Sequence, residues 1–172
     1  MTNPLTPLND ALSIVEDSFR VALACADAGK ADEEKAALVA GTKFSPPDVD
    51  WAEVQIGVTK LELEDLFVLA MTSCFEARVK EFVKSQTSIA VGEYRAEIEK
   101  WLYGEIESAP LYGLAKIFKP PVTPMMIKDI ESIRKYRNWV AHGRAYPGPA
   151  IAVTPSFAYN TLTTFMTTAN II

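Results

Sequence analysis

Between Thr59 and Gln86 apolar side chains return at Leu63, Leu66, Phe67, Ala70, Met71, Cys74, Phe75, Val79, Phe82 and Val83. Steps of three and four over so long a run fit a helix and no strand, and a stripe this wide needs cover from several neighbours. The run predicts the central helix of an all-α bundle. Thr59, followed three residues later by Glu62, has the form of a capping box and sets the expected start of that helix.

The rest of the chain divides into shorter helices by the same reasoning. Pro4 and Pro7 predict an extended start. Leu12, Val15, Phe19, Ala22, Leu23 and Ala26 then recur at helical spacing from Asn9 to about Ala28, and Gly29 closes the run. Asp32 to Ala40 opens on Asp32, Glu33 and Glu34, as a helix dipole favours, and precedes Gly41. Thr42 to Gly57 carries Pro46 and Pro47 and reads as a connecting loop pinned by Trp51. Gly92 precedes a helix from about Glu93 to Glu107, with Tyr94, Ile98, Trp101, Leu102 and Ile106 on its buried face. Pro110 interrupts it, and Leu111 to Phe118 gives a further turn or two before the stop at Lys119-Pro120-Pro121.

Thr123-Pro124 restarts the chain as N-cap and first helical residue, with Met126, Ile127, Ile130 and Ile133 inward. Gly143 suits that helix's C-terminus, and Tyr146 to Val153 is a loop. Thr154-Pro155 begins the last helix, with Phe157, Leu162, Phe165 and Met166 facing the core. The expected organisation is an N-terminal pair of helices and loop over 1–58, packed on a bundle over 59–172.

Absences narrow the function. No run of about 18 apolar residues is present, so no membrane span is expected, and the first residues lack a signal peptide's basic start and apolar run. Cys25 and Cys74 lie far apart, which reads as buried thiols in a reduced cytoplasmic protein. There is no glycine-rich phosphate loop, no dinucleotide fingerprint and no Gly-x-Ser-x-Gly turn, and one His with two distant Cys makes a poor zinc set. No cofactor or metal is expected. The net charge of -5 argues against a general nucleic-acid coat protein but leaves room for a local phosphate site. From Lys116 to Arg144 seven Lys or Arg face two acidic residues, Asp129 and Glu131.

That basic segment ends in Arg134-Lys135-Tyr136-Arg137-Asn138-Trp139-Val140-Ala141-His142-Gly143-Arg144, which holds the only histidine. Two readings stand side by side. A group that titrates near neutral pH beside permanent cations suits phosphoester chemistry. The same cluster is also what a basic helix end with no chemistry looks like. Five residues turn a helix by about 500°, so Arg137 and His142 sit roughly 140° apart and cannot share a face unless the helix ends or bends between them. Gly143 supports such an end, which would let the imidazole swing back beside Arg137 and Asn138.

Arg137-Asn138-Trp139-Val140-Ala141-His142-Gly143 resembles the R-N-x-x-x-H signature of HEPN domains. These are helical bundles that usually dimerise, and many are metal-independent endoribonucleases of toxin, antiphage and CRISPR-associated systems. The late helical position, with one helix after it, is similar too, and Phe75-Glu76-Ala77-Arg78 resembles an acidic position in an early helix of many members. The resemblance implies a HEPN-type bundle, with Arg137, Asn138 and His142 as catalytic residues. It implies Arg134, Tyr136, Arg144 and Glu76 as residues near the RNA substrate, and a homodimer with a composite site. An antitoxin or defence partner would follow from membership, as would the alternative of a non-catalytic, nucleotide-binding or dimerising scaffold. Read without the resemblance, His142 is a helix cap, Arg137 pairs with a carboxylate such as Glu76, Arg134 and Arg144 are solvated charges, and Tyr136 and Trp139 are packing.

Overall fold

The computed structural model describes residues 2–29, 37, 40, 49–86, 95–119, 121–149 and 152–172. Among them are α1 (Thr6–Gly29), α2 (Val49–Gln86), α3 (Arg95–Ser108), α4 (Leu111–Ile117), α5 (Pro124–Ala141) and α6 (Pro155–Thr168), with no strand. The protein is all-helical, as the apolar spacing requires. No helix among the described residues is long and apolar enough to cross a membrane. The chain separates into two compact units, residues 7–67 and residues 1–6 with 68–172.

Within residues 7–67, Leu12 and Ile56 are buried, and Lys60 Nζ lies 3.6 Å from Glu64 and 4.0 Å from Glu16. Two helix starts differ from the sequence expectation. α1 begins at Thr6, ahead of Asn9, because a proline in the first helical turn gives up no hydrogen bond the helix needs. α2 begins at Val49, so Thr59 is an interior residue and its pattern with Glu62 is not a cap. The loop reading rests on Pro46, Pro47 and weak periodicity, and both prolines precede this start; inside the helix, Gly57 and the β-branched Val54, Ile56 and Val58 are poor helix formers. Their combined propensity penalty is about 1–3 kcal/mol, which packing routinely overrides. The helix expected at Asp32–Ala40 falls, apart from Ala37 and Ala40, outside the described residues, as do the side chains of Trp51, Tyr94, Ile98 and Trp101.

The larger unit is built on the C-terminal half of α2. Val68, Met71, Phe75 and Val79 are fully buried there, and Thr72 satisfies its own hydroxyl on the Val68 carbonyl at 2.7 Å. Phe75 meets Phe165 of α6 edge-on at 5.3 Å, and Phe165 meets Phe118 at the end of α4 edge-on at 5.4 Å. Phe82 adds a fourth ring 5.9 Å from Phe118. Two residues assigned to the core face turn outward: Leu66 is 56% exposed and Phe157 is 37% exposed. Each sits nine residues before a fully buried side chain, Phe75 and Met166, and nine residues make about 900°, which is the opposite side of the helix.

α5 packs against α4 and α6 through Ile127, Ile130 and Ile133, all buried. Its start follows the sequence: Thr123 accepts from Met126 N at 3.2 Å and Pro124 takes the first position. Thr154 does the same for α6 from Phe157 N at 3.2 Å. The N-terminus closes the unit, with Leu5 fully buried and Asn3 Nδ2 donating to Thr163 Oγ1 at 2.9 Å. α3 is held to α2 by Lys80, which donates to the Glu107 carbonyl at 2.7 Å, and by Lys84, which pairs with the Glu107 carboxylate.

Candidate functional site

α5 stops where glycine allows it to stop. His142 is the C-cap, and Gly143 follows at φ +66°, in the left-handed region that glycine enters without steric cost. Gly143 N donates to the Val140 carbonyl at 2.9 Å and Arg144 N to the Trp139 carbonyl at 2.9 Å, the paired bonds of a Schellman ending. The helix thus ends at the motif histidine, and the imidazole stands exposed at its tip. Gly143→Ala is expected to cost about 1–2 kcal/mol, since an L side chain must then hold a positive φ. Thermal unfolding compared with that of the wild type checks it, and an unchanged midpoint would show that this ending carries no strain.

Arg137 is half-buried and its Nη1 donates to Asn138 Oδ1 at 3.1 Å. Its Nε is buried with no hydrogen-bond partner among the described residues. A donor buried without a partner costs roughly 1–3 kcal/mol. The ring next to His142 is that of Tyr146, at a centroid distance of 6.5 Å.

Trp139 ties the segment after the helix to α5. Its Nε1 donates to the Tyr146 carbonyl at 2.8 Å, and the Arg144 guanidinium lies 5.5 Å from its ring centre. A Cβ on Gly148 would come within 3.2 Å of the indole, so any larger residue needs the ring to give by a few tenths of an ångström. Tyr136 packs 5.6 Å from the same indole. Tyr146 was read only as the start of a loop. Nothing in its spacing separates it from any exposed tyrosine; the Pro147-Gly148-Pro149 that follows was the one available signal of a fixed loop.

Arg134 is clamped by Glu131, with Nε to Oε2 and Nη2 to Oε1 both at 2.8 Å. Hydrogen bonding to Arg134 holds the Glu131 carboxyl below the usual carboxylate range, with Lys135 and Lys116 adding to it against partial burial. The same pair raises Arg134. A carboxyl depressed in the folded state stabilises above its unfolded pKa, and the contribution disappears as pH falls through the folded value. Glu131→Gln is therefore expected to lower stability at neutral pH and to narrow the gap from wild type on acidification. Chemical denaturation at neutral and acid pH checks the sign.

Arg134, Lys135, Asn138, Trp139, Tyr146, Pro147 and Pro149 line a cavity of about 320 Å³. Among the residues read from the sequence as site members, Arg134 and Asn138 lie on it. Arg137 and His142 flank it in the chain without lining it. Glu76 lies on α2, where its carboxylate pairs with Lys80 at 3.0 Å. Among the described residues no three His, Cys, Asp or Glu side chains converge as a metal set would. Compared with protein-family models, curated proteins and solved structures, the chain matches none.

Proposed function

We propose that this protein is a HEPN-type endoribonuclease that cleaves RNA without a metal ion and acts as a homodimer. The observation that carries the reading is the position of His142: the R-N-x-x-x-H run ends its helix at the histidine, leaving an exposed imidazole one turn beyond Arg137 and Asn138. His142 takes the proton of a ribose 2′-hydroxyl. The 2′-oxygen bonds to phosphorus, the bond from phosphorus to the 5′-oxygen breaks, and a second His142 from the other copy protonates the leaving oxygen. Arg137 stabilises the charge on the phosphate, and Asn138 orients the phosphate or the imidazole. The products are a 2′,3′-cyclic phosphate and a 5′-hydroxyl. The single histidine per chain supports a site completed by a second copy, since separate acid and base roles need two.

In this reading Arg134, Arg144, Tyr136 and Glu76 surround the substrate, and the protein serves as a cytoplasmic toxin or antiphage effector, with an antitoxin or defence partner as restraint. The test is incubation with RNA in EDTA, comparing wild type, Arg137→Ala and His142→Ala. Equal cleavage by all three, or by none, removes the enzyme.

A second reading, a non-catalytic dimerising or nucleotide-binding module of the same family, is favoured by the net charge of -5 and by the neutralisation of Arg134 by Glu131. It expects no turnover and nucleotide binding that weakens when Arg137 is lost. RNA cleavage without nucleotide binding ends it.

A further inference from the structure

We propose that the hollow between the end of α5 and the loop after it is a subsite for a single nucleotide of a single strand. The heterocycle lies against Trp139, Tyr146, Pro147 and Pro149, and the phosphate lies toward Arg134, Lys135 and Asn138. The proposal rests on the reading above only in choosing a strand over a free nucleotide.

Size sets the first limit. A cavity of about 320 Å³ is at the small end of the roughly 300–1,000 Å³ typical of ligand sites, enough for one nucleotide and far too small for a duplex. Its chemistry sets the second. Two aromatic rings and two prolines offer rigid apolar walls suited to a flat ring, which every nucleobase presents. The polar part of the lining is positive. Arg134 and Lys135 share one carboxylate, Glu131, at 2.8 Å and 3.8 Å, so one cationic charge remains, and Lys135 is 62% exposed. A neutral aromatic guest would leave that charge unused and a cationic guest would be repelled.

Asn138 adds direction. A guanidinium can only donate, so the amide oxygen is the atom facing Arg137 and the amide NH₂ is the end left for a guest. That end asks for an acceptor, a phosphate or a base carbonyl oxygen. Because Arg137 and Asn138 are hydrogen-bonded neighbours, a nucleotide seated here lies next to the phosphate assigned to the motif. The subsite is also held in shape before binding. All its walls come from the continuous stretch Arg134 to Pro149, with Trp139 Nε1 bonded to the Tyr146 carbonyl and Gly148 fitted against the indole.

The experiment follows the indole N–H resonance of Trp139 in the full-length ¹⁵N-labelled protein, assigned through Trp139→Phe. The probes are inorganic phosphate, adenosine, AMP and UMP, and a 2′-deoxy tetranucleotide that cannot be cleaved through a 2′-hydroxyl. Saturable shifts with the monophosphates are expected, tighter binding of the tetranucleotide, and binding about tenfold or more weaker for adenosine. Lys135→Glu, on an exposed helical position, is expected to weaken monophosphate binding by about tenfold with helix content unchanged. The subsite is overturned if inorganic phosphate alone gives the same response, if no nucleotide shifts the resonance, or if Lys135→Glu binds as wild type does. A tetranucleotide no tighter than AMP overturns the assignment to a strand. Binding without RNA cleavage defeats the nuclease reading and leaves the subsite standing; cleavage without binding does the reverse.

Discussion

His142→Ala is expected to lower metal-free RNA cleavage by about 10²–10⁴-fold, the usual contribution of a positioned proton-transfer group. The same substitution is expected to leave stability within about 0.5 kcal/mol of wild type. The two expectations separate because the residue's structural work is done by its backbone. His142 N donates to the Asn138 carbonyl at 3.0 Å, and the Schellman bonds run through Gly143 and Arg144, none of which needs an imidazole. The side chain is exposed, with Tyr146 as its ring neighbour. Initial rates on a labelled RNA in EDTA, paired with urea unfolding of the same preparations, measure both. Loss of activity in step with loss of stability would point to a structural role, and retained activity would remove His142 from the chemistry. A DNA strand of the same sequence is expected to resist cleavage, since it lacks the 2′-hydroxyl.

What the sequence made legible follows from where the governing physics is local. The caps at Thr123 and Thr154, the prolines after them and the left-handed Gly143 each depend on a few adjacent residues, and all appear as read. The end of α5 at His142 belongs to that class. The start of α2 does not. Whether Val49–Val58 is helical is decided by packing, which a propensity penalty at Gly57 cannot report. Leu66 belongs to a stripe read as wide and Phe157 to the inward face of the last helix, but nine residues to the buried Phe75 and Met166 turn each to the opposite side. The cavity was least legible. It depends on an indole bonding to a carbonyl seven residues later and on a glycine packing against the ring, and neither leaves a periodic trace. The clamp of Arg134 by Glu131 was readable in principle, as an acidic residue three positions before an arginine on a helix.

Phe165→Ala is expected to be the most destabilising single change in the larger unit, at about 3–5 kcal/mol. The ring is fully buried and meets Phe75 and Phe118 edge-on at 5.3 and 5.4 Å, so its removal leaves a cavity and breaks two aromatic pairs worth about 0.5–1.5 kcal/mol each beyond burial. Those pairs join α6 to α2 and to the end of α4, and α4 and α6 are the two helices against which α5 is packed. The candidate site stands on the C-terminal end of α5, so the expected route from this ring to the site runs through the helices that hold α5. Phe157→Ala is the matched control: the same atoms are removed from the same helix at a position 37% exposed, and the expected loss is under about 1 kcal/mol. Urea unfolding followed by far-ultraviolet circular dichroism distinguishes them. Equal midpoints for the two variants would mean that the Phe75–Phe165–Phe118 cluster does not hold α5 in place, and the argument that the bundle positions the R-N-x-x-x-H helix end would lose its support.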